Sequence, residues 1–342
     1  MKIEQFKLAD WIHKYSGVVE YNLSSSGMSE PDLGEMGVDT SYQSFLQHRK
    51  DVDQVFKEEV ANLYGVSPQC VIPTVGGSEA IYIAYSYLAT LRTKICVPAP
   101  DYEPLFAVPR MLEVPLLEEE PETDDMNTWI CLTDANNPTG KRVSKQRLEK
   151  VRRRRGVYVD ETFRLFCEGG EALSPRQDNV IVSSSMTKFY GLSQIRIGWL
   201  VASYEIAVKL SEIKKLISNQ NPLYSTWIAL QALRNRDRFE TRNKMIVGRN
   251  LRLVREFAED NSSLEWVEPD GPPFAFFTYR KEISSLKLCT KAAEEAGVLI
   301  APAEFFGSEK GFRLCFSTDE EEHLSHGLNV LSGFLRGALG NG

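Results

Sequence analysis

From about Val71 to Ser203 the chain alternates short apolar runs with helix-like stretches, and most runs end in polar or turn-forming residues. That alternation specifies a mostly parallel, doubly wound sheet with helices on both faces. A strand buried on both faces reads as a continuous apolar run, as Gly156-Val157-Tyr158-Val159 does. Ligands of such sheets bind beyond the carboxyl ends of the strands. The residues that close the runs are therefore the first candidates for a site.

The run Val180-Ile181-Val182 passes into Ser183-Ser184-Ser185-Met186-Thr187-Lys188, then through Gly191 and Arg196 to Trp199. Hydroxyl donors and a guanidinium suit a phosphate, whose oxygens match the guanidinium fork. Lys188 offers an amine that can lose its proton and attack an aldehyde. A small molecule carrying both groups is pyridoxal phosphate. Ser-x-x-Lys also surrounds the serine nucleophile of penicillin-binding enzymes, but their companion Ser-Asp-Asn and Lys-Thr-Gly are absent here.

Other strand ends fit the same ligand. Asp160 closes its strand, where a carboxylate keeps a pyridine nitrogen protonated; a plain helix cap is the competing reading. Trp129 to Thr133 reads as a strand before the turn Asp134-Ala135-Asn136-Asn137-Pro138-Thr139-Gly140. Asn137, extended before its proline, can donate to a ring oxygen, and the alternative is an ordinary Asn-Pro turn. Val71 to Thr74 precedes Gly76-Gly77-Ser78, a glycine turn opening a helix over about Ala80–Leu91. Amides there suit a phosphate, although any strand-helix turn can carry two glycines, and no P-loop pattern is present. Tyr102 follows Val97-Pro98-Ala99-Pro100-Asp101 and either stacks on the ring or packs in a loop. Arg313, in the alternating run Gly311 to Ser317, either clamps a carboxylate or is a solvated strand arginine.

Jointly these segments resemble the pyridoxal-phosphate enzymes of fold type I, in the class I/II aminotransferase group. The Asn-Asn-Pro-Thr-Gly turn, the Asp160 strand and the Ser-x-x-Lys…Arg segment occur in that family's order and approximate spacing. The resemblance runs from Leu23-Ser24-Ser25-Ser26-Gly27 to Arg313. It implies an α/β fold with a large cofactor domain over residues 46–230 and a smaller α+β domain from 1–45 and 231–342. Lys188 would form the internal aldimine and later shuttle a proton. Asp160 would pair with the ring nitrogen, Asn137 with the ring hydroxyl oxygen, and Tyr102 would stack. Gly77, Ser78, Ser185 and Arg196, with Ser183, would hold the phosphate. Arg313 would bind the substrate carboxylate close to Gly27. The resemblance also implies a homodimer with active sites shared between subunits.

Two positions depart from the family pattern. Phe163 stands where a tyrosine usually donates to the ring oxygen. The tyrosine that reaches the partner subunit's phosphate is assigned to Tyr42, with His48 as the alternative, because the glycine that normally follows is missing.

Composition narrows the remaining classes. At 342 residues and 42% hydrophobic content the chain can fill two cores. A formal charge of -7 opposes nucleic-acid binding. The basic cluster Lys150-Val151-Arg152-Arg153-Arg154-Arg155 reads as the last turn of a helix. Six scattered cysteines without a Cys-x-x-Cys suggest free thiols in the reducing cytoplasm. His323 and His326 read as a solvated face rather than a metal site. Neither a signal peptide nor a membrane-length apolar stretch is expected.

The expected activity is transfer of an amino group between an L-amino acid and a 2-oxo acid, with ping-pong kinetics. A decarboxylase, cyclase or lyase of the same fold is the nearest alternative, and a non-catalytic binding or regulatory protein the more distant one. Arg313 suggests a carboxylate substrate, and no second arginine can be assigned to a side-chain anion. Tyr15, Tyr21, Phe274 and Phe305 leave an aromatic or apolar substrate open.

Overall fold

In the computed structural model, residues 3–120, 127–144, 147, 156–168 and 179–340 are described. The expected basic helix end at Lys150–Arg155 lies outside them.

The central sheet has seven strands: β2 (Val71–Thr74), β3 (Lys94–Cys96), β4 (Leu116–Leu117), β5 (Thr128–Thr133), β6 (Gly156–Asp160), β7 (Val180–Ser185) and β8 (Gly198–Ala202). Their order is β2-β8-β7-β6-β5-β3-β4. All neighbours are parallel except β8, which runs against both β7 and β2. β5, β6 and β7 are buried along their whole length, because helices cover both faces. One face packs α3 (Val52–Tyr64) and α7 (Leu223–Arg234); the other packs α4 (Gly76–Thr90), α5 (Glu103–Met111) and α6 (Tyr204–Ile217).

A second core gathers around the antiparallel sheet β12 (Ala301–Pro302), β13 (Phe312–Cys315), β10 (Phe274–Tyr279) and β9 (Leu264–Val267). Covering it are α1 (Lys7–Tyr15), α9 (Ser285–Ala296) and α10 (Glu321–Leu339), while β1 (Tyr21–Asn22) pairs in parallel with β11 (Val298–Leu299). The long α8 (Arg236–Glu259) joins the two cores. Its Phe239 lies in the first and its Val254 and Phe257 in the second. Leu33, Met36, Val38 and Phe45, the last in α2 (Tyr42–His48), precede residue 46 yet pack into the first core.

One expected boundary shifts. The helix expected from Ala80 begins at Gly76, whose positive φ turns the chain directly out of β2. There Glu79 Oε2 accepts from the Val75 amide at 2.5 Å and pairs with Lys214 at 3.1 Å, an acidic cap on donors the first turn leaves unpaired. β11 ends at Leu299, and β12, which begins at Ala301, pairs in a different sheet. Helix runs from Tyr204 to Glu259 with breaks at 218–222 and at Asn235.

Candidate active site

The carboxyl ends of β5, β6 and β7 open onto a cavity of about 460 Å³, roofed by α1 and walled by β13. It falls in the usual range for small-molecule sites, about 300–1,000 Å³. Lys188, Asp160, Asn137, Tyr102, Gly77, Ser78, Ser185, Arg196 and Arg313 all line it. Residues as distant as Gly77 and Arg313 therefore meet in one place.

Lys188 follows the end of β7. Its Nζ donates to Ser26 Oγ at 3.0 Å. Burial pulls the amine down to about 8, helped by the charges of Arg313 and Arg196 and opposed by Asp160. A lysine so placed yields its proton near neutrality. Gly27 packs on it: a Cβ there would stand 3.0 Å from Thr187 O and 3.6 Å from Lys188 Cδ.

Asp160 is buried, and Thr162 supplies its donors, amide at 3.0 Å and hydroxyl at 2.5 Å, both to Oδ1. Burial pushes this carboxyl up, while Thr162 and the Lys188 charge hold it down. Burial likewise raises the Tyr102 hydroxyl, with the Asp160 charge adding to it.

Arg313 is 1% exposed, which excludes the solvated-strand reading. Its Nη1 donates to Asn137 Oδ1 at 2.6 Å and its Nη2 to Ser24 O at 3.0 Å. The guanidinium carbon lies 4.9 Å from the Phe306 ring centre and 5.6 Å from that of Phe274. Nε finds no partner among the described residues. Arg313 lines the cavity, and a buried guanidinium in such a wall suits an anion.

At the opposite end Gly77, Ser78, Ser185 and Arg196 border the first turn of α4. The Arg196 guanidinium lies against Gly76, so a Cβ there would fall 2.5 Å from Nη2. A Cβ on Gly198 would fall 2.8 Å from the Gly76 carbonyl carbon and from Ser184 O, so glycine lets β8 approach the start of α4.

Not every expected residue reaches the cavity. The Ser183 hydroxyl lies 2.7 Å from Tyr158 OH inside the sheet, and Ser183 does not line the cavity. Tyr42 is 61% exposed, next to Phe45 and Tyr224, and does not line its own chain's cavity. His48 stacks on Trp227 at 5.1 Å. Phe163 does line the cavity, edge-on to Phe274 at 4.7 Å.

Sequence reasoning missed other lining groups: Ser26, Thr133, Thr162 and, on α1, Ala9, Ile12, His13 and Ser16. Ala9, Ile12 and His13, with Ser16 just past the helix end, follow the i, i+3, i+4, i+7 spacing of one helix face, beside the Leu8, Trp11 and Tyr15 stripe in the core, of which Leu8 also reaches the cavity. The N-terminus of α1 is held by Glu103, which accepts from the Lys7 and Leu8 amides at 3.0 and 2.8 Å. The amphipathic spacing was the available signal, but not what the second face meets.

Comparison with known proteins agrees with this geometry. Residues 48–331 match the family described as aminotransferase class I and II, and the chain belongs to that family. It is 27% identical over 267 residues to histidinol-phosphate aminotransferase 2 of Archaeoglobus fulgidus, covering 74% of this chain and 75% of that one. Capreomycidine synthase of Streptomyces vinaceus is 24% identical, with 95% and 92% covered. A PLP-dependent aminotransferase structure from Streptococcus suis superposes with a TM-score of 0.85 at 23% identity, covering 98% of each chain; this likeness shows the shared fold. The chain is accordingly a pyridoxal 5'-phosphate-dependent transaminase of fold type I. The cavity fits that cofactor: an acid, an amide donor, an amine and a phosphate cradle face it together. No described helix is long and apolar enough to cross a membrane.

Proposed function

We propose that the chain moves an amino group between an L-amino acid and a 2-oxo acid by a ping-pong sequence in which Lys188 carries the α-proton. The observation behind this reading is the convergence of Lys188, Asp160, Asn137 and Arg313 on one cavity. Bound pyridoxal phosphate supplies an aldehyde that takes up amines and a ring that accepts carbanion charge. Asp160 holds the ring nitrogen protonated, and a cation there draws its carboxyl back to the charged form. Asn137 has its oxygen engaged by Arg313, so its Nδ2 is left to donate to the ring oxygen. Tyr102 covers one ring face. The Gly77 and Ser78 amides, Ser185 and Arg196 bind the phosphate. Arg313 takes the substrate carboxylate, which orients the α-carbon toward Lys188. The Lys188 amine, lowered to about 8, would accept the α-proton at Nζ and pass it to the cofactor's aldehyde-derived carbon instead of giving it back to the α-carbon.

Lys188→Ala should fold and keep some cofactor affinity while losing turnover. Full transamination by that variant would refute the assignment. Borohydride treatment of the native enzyme should attach the cofactor to the Lys188 peptide.

The two cores support division into a large and a small domain, with residues 33–45 packed against the large one. The exposed ring of Tyr42 supports a homodimer in which that residue serves the neighbouring site. Free cysteines support a cytoplasmic location.

The near full-length likeness to a protein named as a synthase, together with the fold shared with a solved PLP-dependent cyclase, favours one other reading, a cyclisation on the same cofactor. Amino acids that convert the cofactor to its pyridoxamine form select transfer. A cyclised product without that conversion selects the alternative.

A further inference from the structure

Asp101 has no part in the mechanism above, yet it is a 2% exposed carboxylate one residue before Tyr102. It has no cationic partner among the interactions described. Its Oδ1 accepts from the Tyr102 amide at 2.7 Å and from Thr133 Oγ1 at 2.5 Å, and its Oδ2 accepts from the Thr133 amide at 3.1 Å. With its proton committed to Asp101, Thr133 Oγ1 offers a lone pair to the Asn137 amide at 2.8 Å. Asn137 Oδ1 in turn accepts from Arg313 Nη1 at 2.6 Å. The Asp101 backbone amide donates to Phe306 O at 2.9 Å, and the Phe306 ring lies under the Arg313 guanidinium.

We propose that Asp101 is a positioning residue for substrate binding: through the Thr133 hydroxyl it fixes Asn137, and through Asn137 it sets Arg313 to receive the carboxylate. In its ionised form the Asp101 carboxyl is satisfied by these three donors, and that fixes the direction of the bonds through Thr133. The carboxylate orients the threonine proton, which leaves the threonine lone pair for the Asn137 amide. With its backbone amide held there, Asn137 places its Oδ1 against Arg313 Nη1. Without the carboxylate the threonine hydroxyl is free to rotate, and the turn carrying Asn137 loses its anchor. This rests on Arg313 binding the substrate carboxylate.

The test uses the holoenzyme at pH 8, where the Asp101 carboxyl is largely ionised, and a ligand that cannot react, propanoate, titrated calorimetrically, alongside steady-state kinetics. Asp101→Asn places an amide among three donors and should weaken propanoate about tenfold or more. KM for the amino acid should rise in parallel, with a smaller change in kcat. Thr133→Val, which removes the link but keeps the carboxylate, should give the same loss, and Thr133→Ser should restore binding. The double variant Asp101→Asn/Thr133→Val should be no worse than the weaker single variant, since both break one chain. Additive losses, a Thr133→Ser protein as weak as Thr133→Val, or a loss confined to kcat would overturn the proposal. So would native enzyme that fails to bind propanoate, because Arg313 then lacks the assumed role. Absence of transamination with propanoate binding intact would count against the transferase reading alone.

Discussion

Replacing Asp101 by asparagine should flatten the pH dependence of folding stability. Burial pushes the Asp101 carboxyl from 3.8 up to about 7; its hydrogen bonds to Thr133 and Tyr102 pull it down, and the Asp160 charge raises it further. The folded protein thus binds this proton more tightly than the unfolded chain. Its contribution to stability is fully present below about pH 4 and is lost as pH rises through about 7. The gap from 3.8 to about 7 corresponds to on the order of 4 kcal/mol. Between pH 5 and pH 7.5 about 2–3 kcal/mol of that should disappear. Asparagine exchanges no proton. Whatever constant offset its amide introduces, the variant should gain on the native protein by that amount across the interval. Urea unfolding of the two cofactor-free proteins at several pH values, followed by tryptophan fluorescence, measures the difference. Parallel stability curves would show that Asp101 ionises in the folded state as it does in the unfolded chain, and the reasoning from burial would fail.

Thr162→Val removes the hydroxyl donor to Asp160 while keeping the backbone one. A lost bond to a carboxylate, worth about 1.5–3 kcal/mol, should raise Asp160 further and loosen the cofactor about tenfold or more, measured by its dissociation constant; unchanged affinity would count against Asp160 as the ring partner. Phe163→Tyr puts a donor into a cavity wall that has none at that position. The pH midpoint of the bound cofactor's visible spectrum should fall, and an unmoved midpoint would mean that another group already fills the role. Gly76→Ala forces a side chain onto a φ of +74° and into the Arg196 guanidinium. Backbone strain of about 1–2 kcal/mol should lower the melting temperature by about 1–3 °C in a chain of 342 residues. The displaced guanidinium should also weaken cofactor binding, and retention of both properties would contradict the packing described.

Lys188, Asp160, Asn137 and Arg196 were legible because each follows or closes a strand of one parallel sheet, and local residue order records those positions. Ser183 shows where such reading stops. It shares its side of β7 with Ser185, but parity along a strand does not give depth, and two residues decide whether a hydroxyl meets the cavity or Tyr158. Arg313 could be named from its strand, yet its burial and its bond to Asn137, 176 residues away, are tertiary facts. Asp101 carried no motif at all; its role follows from three donors that only folding gathers around it.

The order of residues alone determined the layered sheet, the cofactor and most of the groups that line the candidate site, because strand periodicity, turn chemistry and the spacing of lysine, acid and arginine are local properties of the chain. Tertiary structure decided which of those groups share the cavity, that α1 closes it, and which buried charges lean on one another. Such contacts join segments far apart in sequence, and their strength depends on burial, which no local pattern specifies.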